Sequence, residues 1–209
     1  MSKSLSDAQL KTGFGAILGT LLVVAAAFYY LQNTGYLPGG HIAPIKLAWL
    51  SCAILFWYLL PGLLLMDARM PSAARRACQV LLVGMLLRGV VELFMMYVTA
   101  SWHPWMGMSH NLLMLAIMTM MLVPLRAQAD RLYSAYLLVA TLMFVPESGF
   151  AWYMLKHATP SGATVYFVPG DEQHQLVLAI TAACVAALSI YLIFFYRQWM
   201  NEQTRHQLP

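Results

Sequence analysis

The sequence predicts an all-α, polytopic membrane protein: six transmembrane helices in one bundle, with both termini cytoplasmic. Of its 209 residues 61% are apolar and 10% charged, and the mean hydropathy is +0.66, so lipid is the expected solvent. Stretches long enough to cross a bilayer recur six times, each near the roughly 20 apolar residues a helical span requires. Lys and Arg gather in alternate loops, which fixes the orientation.

The first span, 14–31, follows Lys3 and Lys11. Its Ala25-Ala26-Ala27 could be a signal-peptide cleavage site, but the apolar run continues through Phe28-Tyr29-Tyr30-Leu31, and a retained helix is the reading taken. The second, 43–65, follows Pro38-Gly39-Gly40-His41. The third, 77–98, contains Arg88 and Glu92. The fourth, 110–125, is the shortest and has an apolar lead-in from Trp105. The fifth, 132–155, is interrupted by Pro146-Glu147-Ser148-Gly149, where a kink is expected because proline removes a backbone hydrogen bond. The sixth is 175–196. No linker or soluble segment intervenes, so residues 1–209 read as a single transmembrane domain.

Nine basic residues fall on one side of these spans: Lys3, Lys11, Arg69, Arg75, Arg76, Arg126, Arg131, Arg197 and Arg205. Only Lys46 and Lys156 fall on the other. This places the chain in a bacterial-type inner (plasma) membrane as a multi-pass protein with its partner the lipid bilayer. The net charge of +4 is spread over short loops as topology signals, and no nucleic-acid partner is expected.

Arg88 and Glu92 stand one helical turn apart, and Glu147 lies inside the fifth span. At 1.5 Å per residue Glu92 is about 22 Å above Ala77, and Glu147 about 22 Å above Leu132. The acids should share a level and turn away from lipid. An ionic bridge that merely holds helices together is one reading. The other makes Arg88, Glu92 and Glu147 a catalytic or proton-exchanging group: one guanidinium cannot neutralise two carboxylates, and burial favours a protonated acid. Below Arg88 no polar residue marks a route across the bilayer, which weighs against a transporter.

Five histidines, His41, His103, His110, His157 and His174, fall on the outer side. The loop between spans three and four reads Ser101-Trp102-His103-Pro104-Trp105-Met106-Gly107-Met108-Ser109-His110-Asn111. Imidazole with thioether is a copper-preferring combination, so His103, His110, Met106 and Met108 are candidate metal ligands, with His157 and His174 contributing from the last outer loop. Iron and zinc are alternatives. Haem ranks lower because these histidines cluster in loops and at span ends. Asn111 is a candidate donor behind the ligands, and Thr164-Val165-Tyr166-Phe167-Val168 a candidate strand capping the site.

Ser101-Trp102-His103 and Ser109-His110 resemble the C subunit of copper-containing membrane monooxygenases, a six-span helical protein. The resemblance implies copper at the outer face. The chain departs from that pattern in lacking the family's aspartate between the two motifs and its later histidine within a span, so no ligand set carries over.

The function expected is a copper-dependent redox or oxygenase-like enzyme acting on a lipophilic molecule such as a quinol. The alternatives are a proton- or cation-coupled transporter using the Arg/Glu cluster, and a non-catalytic subunit or assembly factor that binds other membrane subunits.

Overall fold

The structure is a computed structural model and describes residues 7–35, 44–98, 104–125, 131–156 and 172–205. Within them lie α1 (Asp7–Asn33), α2 (Pro44–Ile54), a π-helical turn (Leu55–Leu59), α3 (Leu60–Leu65), α4 (Ser72–Val98), α5 (Pro104–Leu125), α6 (Arg131–Leu142), α7 (Phe144–Lys156) and α8 (Glu172–Arg205). No strand occurs among the described residues, and the Thr164–Val168 segment lies outside them. Among the described residues six helical rods are long and apolar enough to cross a membrane: Lys11–Leu31, Pro44–Leu65, Ser72–Met95, Trp105–Leu125, Arg131–Lys156 and Gln175–Glu202.

Several rods exceed the apolar runs. The third begins at Ser72 and takes in Arg75 and Arg76, because charged side chains at a helix end reach into water without ending the helix. The fourth begins at Pro104, well before His110. Proline suits the first helical position, where its missing N–H is needed by no carbonyl. Met106 and Met108, expected in a loop, are therefore helical. The first helix runs unbroken past Ala27 to Asn33.

Phe14 of α1 packs against Tyr196 and Trp199 of α8, with ring centroids 4.7 and 6.4 Å apart. The start of the first helix thus lies beside the end of the last, and this end of the bundle is termed the terminal end.

Two proline-driven breaks shape the interior. Pro61 has no N–H to donate. In the turn before it, the Leu60 N–H bonds the Leu55 carbonyl, five residues back, which leaves the Phe56 carbonyl without an intrahelical donor from either residue 60 or residue 61. The Tyr136 hydroxyl supplies that bond at 2.6 Å. In span five, Pro146 cannot donate to the Leu142 carbonyl, and α6 ends at Leu142. The break thus lies about one turn before the proline, as expected from the clash of its ring with the carbonyl four residues back. The Trp57 indole donates to the Ala140 carbonyl at 2.8 Å beside this break, and Trp57 stacks on Phe144 at 4.5 Å.

A continuous series of aromatic rings lies beside this stack. Phe56 stacks on Tyr136, Tyr136 meets Phe195, and Phe195 stacks on Trp199. The layer ties spans two, five and six together across the bundle.

At the terminal end, Asp67 is buried in the turn between α3 and α4. Its carboxylate accepts from Arg69 Nη2 and Nε at 2.6 and 2.9 Å, from the Tyr133 hydroxyl at 2.8 Å and from the Trp199 indole at 3.1 Å. Arg75 donates to the carbonyls of Leu65 and Asp67, both at 2.7 Å, satisfying groups freed at the end of α3. Burial alone would raise the Asp67 pKa. The donors from Arg69, Trp199 and Tyr133 outweigh it and hold the acid at about 2, below its ordinary 3.8.

Candidate functional site

Toward the opposite end, a charged cluster forms where α2, α4, α5 and α7 meet. Arg88 on α4 is buried, and its three nitrogens point three ways. Nε donates to Glu92 Oε1 at 2.8 Å, Nη1 to Asn111 Oδ1 at 2.6 Å, and Nη2 to Glu147 Oε1 at 3.3 Å. The Trp49 indole of α2 donates to the other Glu147 oxygen at 2.6 Å. The planar guanidinium fork suits this role, since fixed N–H directions let one side chain hold three partners.

Helix geometry explains how α7 reaches α2. Lys46 and Trp49 lie three apart on one helix, and Glu147 and Phe150 three apart on the other, so each pair shares a face. Trp49 meets Phe150 edge-on with centroids 5.2 Å apart. The Lys46 ammonium sits 3.8 Å from the centre of the Phe150 ring and within electrostatic reach of Glu147. Lys46 thus adds a second cation near Glu147.

Arg88 and Asn111 are sealed in, whereas the side chains of Glu92 and Glu147 remain 25% and 18% exposed. The packing accounts for this. Helix α4 lies against α5, α3 and the π-turn, while α2 lies against α8 and α1. The cluster sits about 10 Å of helix from Met95, the last residue of the third rod.

His110 borders the cluster on α5. Its Nε2 is 3.1 Å from the Gly84 carbonyl. A carbonyl only accepts, so Nε2 carries the proton and Nδ1 keeps a lone pair. That Nδ1 and the Asn111 amide nitrogen are both buried with no hydrogen bond to any third group, and the two side chains lie within interaction distance of each other. Gly84 permits the close approach: a Cβ there would stand 2.5 Å from Met114 Sδ.

The structure brings Arg88, Glu92 and Glu147 into one site, with Asn111 between α4 and α5. Asn111 accepts from Arg88 through Oδ1. Met106 and Met108 are half-buried in the opening turns of α5. His103, His157 and His41 lie outside the described residues, as does the side chain of His174, whose backbone is in the first turn of α8. Among the described residues no three His, Cys, Asp or Glu side chains gather as a metal-holding group.

Sequence reasoning passed over Trp49, Lys46 and Asp67. Trp49 carried a usable signal, since an indole N–H inside a span needs an acceptor. Below Arg88, the Tyr58 hydroxyl donates to the Met85 carbonyl at 2.8 Å. Beyond it, toward the terminal end, Phe56, Tyr136, Phe195 and Trp199 belong to the buried core.

No protein family, curated protein or solved structure matches this chain.

Proposed function

We propose that the chain is a multi-pass inner-membrane protein, with both termini cytoplasmic, whose Arg88 cluster binds the polar head of a lipophilic molecule in the outer leaflet and exchanges a proton with it. This is the chemistry of a redox or isomerising enzyme acting on a quinol-like or other membrane-dissolved substrate. One observation carries the reading: the side chains of Glu92 and Glu147 remain partly exposed, while the groups that orient them, Arg88, Asn111 and Trp49, are buried. A purely structural bridge has no need of partly exposed carboxylate side chains. A transporter needs a path past the buried rings of Phe56, Tyr136 and Phe195, which are packed in contact, and past Trp57, which is stacked on Phe144.

A head group entering beside Glu92 and Glu147 meets two oxygens that accept protons and a guanidinium that stabilises negative charge as it develops. The lateral approach from the apolar surface suits a ligand with a hydrocarbon tail.

Titration calorimetry with decylhydroquinone, under argon and in buffers of different ionisation enthalpy, tests this by counting protons exchanged on binding. Protein in nanodiscs should show buffer-dependent heats that are lost in Glu92→Gln or Glu147→Gln. Absent binding, or heats independent of buffer, would overturn the reading.

Copper is a second reading, favoured by the His110 Nδ1 lone pair, which is available to a soft-to-borderline metal. His103 stands seven positions earlier in the sequence. Elemental analysis of untagged protein tests it: near-stoichiometric copper that disappears in His103→Ala/His110→Ala supports the metal, and its retention in that variant excludes these ligands.

A further inference from the structure

We infer that the two acids of the Arg88 cluster have separate roles: Glu92 takes the hydroxyl hydrogen of the lipophilic ligand, and Glu147 is held by Trp49 as a fixed anion. This rests on the function proposed above. The two carboxylates are bound differently. Glu147 has a donor on each oxygen, with Arg88 Nη2 on Oε1 at 3.3 Å and the Trp49 indole on Oε2 at 2.6 Å. Glu92 accepts from Arg88 Nε through Oε1 at 2.8 Å. Its Oε2 takes no hydrogen bond among the described residues, and it is not one of the buried polar atoms left without one there. The Glu92 side chain is also the more exposed, 25% against 18%.

This difference decides where a proton fits. Indole and guanidinium nitrogens donate and never accept. A proton on either Glu147 oxygen turns a charged acceptor into a hydroxyl and weakens the bond from a buried donor, since charge-assisted hydrogen bonds are about twice as strong as neutral ones. Trp49 cannot simply swing away, because it is buried and packed edge-on against Phe150, whose ring also carries the Lys46 ammonium at 3.8 Å. A proton on Glu92 Oε2 displaces no donor. Oε1 then remains a carbonyl oxygen that still accepts from Arg88 Nε.

An ionised carboxylate only accepts, so the ligand atom on Oε2 has to carry a hydrogen, and in a quinol-like molecule that atom is the hydroxyl oxygen. When the proton crosses, the ligand O–H bond breaks and an O–H bond forms on Oε2. The negative charge passes from Glu92 to the ligand oxygen, and no electron is gained or lost. This contact needs no enclosed pocket. Val91, Leu93 and Phe94 beside Glu92 are exposed, so the hydrocarbon tail stays in lipid along α4 while the head meets the acid. Glu92 is the catalytic residue here, and Trp49 a positioning residue that acts through Glu147.

The test uses the full chain in nanodiscs, labelled with 13C at the glutamate carboxyl carbon, and two probes kept under argon: decylhydroquinone and its dimethyl ether, which has no hydroxyl to donate. The chain holds four glutamates, Glu92, Glu147, Glu172 and Glu202, and Glu→Gln variants assign their resonances; if Glu92→Gln does not fold, the other three assign Glu92 by elimination. The hydroquinone should bind about tenfold tighter than the ether, the value of one net hydrogen bond. It should shift the Glu92 resonance and leave Glu147 in place, and the ether should shift neither. In Trp49→Phe, which keeps a ring against Phe150 but removes the indole donor, Glu147 should begin to respond to the hydroquinone. A shift of Glu147 in the wild type, alone or together with Glu92, overturns the division of roles and leaves the proposed function standing. A Glu147 that stays unresponsive in Trp49→Phe overturns the part given to Trp49. Binding of the hydroquinone with all four resonances unmoved, or no binding at all, overturns the division and the proposed function together.

Discussion

The Tyr136 hydroxyl donates to the Phe56 carbonyl at 2.6 Å across two helices, and the bond exists because Pro61 leaves that carbonyl without a donor in its own helix. Tyr136→Phe should therefore strand a buried acceptor and cost about 1–3 kcal/mol, read as a lower midpoint in detergent or thermal unfolding. In a Pro61→Ala background the new N–H at residue 61 can reach back to Phe56. There the same substitution should cost measurably less.

Asp67 gives the terminal end a pH-dependent contribution to stability. Its pKa is about 2 in the folded chain against an ordinary 3.8, so the unfolded chain binds more protons between those values. The stabilisation is complete above about pH 5, on the order of 2 kcal/mol, and disappears as pH falls through the folded pKa. Unfolding midpoints followed from pH 6 to pH 2 should fall for the wild type. Asp67→Asn should begin lower and respond less across the same window.

The helical class and the six rods were legible in the sequence because hydropathy and length are properties of a single segment. So was the shared level of Glu92 and Glu147, since helix rise converts position into height. Lys46 and Trp49 were not legible. Their part depends on which face of α2 meets α7, a tertiary relationship that no local pattern in span two encodes. Asp67 was hidden for a different reason: it reads as an ordinary turn residue beside basic neighbours, and its donors Tyr133 and Trp199 are far away in the chain. The break in span five was expected at Pro146 and lies at Leu142–Phe144, because proline acts on the carbonyl four residues before it.

Arg88→Met leaves Glu92, Glu147 and Asn111 Oδ1 facing an apolar side chain. It should cost about 3–5 kcal/mol, the penalty for breaking a buried pair from one side. Adding Glu92→Leu and Glu147→Leu removes the stranded charges and should recover part of that loss. A full loss of decylhydroquinone binding in the recovered triple variant separates the functional role of the cluster from its contribution to stability.

The proposed orientation places the Asp67 end in the cytoplasm. A fluorescent protein fused after residue 209 should then be bright, and alkaline phosphatase fused there inactive. The opposite pattern inverts the topology and moves the Arg88 cluster to the cytoplasmic leaflet.

The most direct measurement is an infrared difference spectrum of the protein in nanodiscs on binding decylhydroquinone, recorded for wild type, Glu92→Gln and Glu147→Gln. A protonated-carboxyl band that changes on binding, and that disappears in one of the two variants, is the expected result and identifies the exchanging acid. A spectrum without any carboxyl change, from protein shown to bind the probe, contradicts proton exchange at the Arg88 cluster and leaves it a bridge between helices.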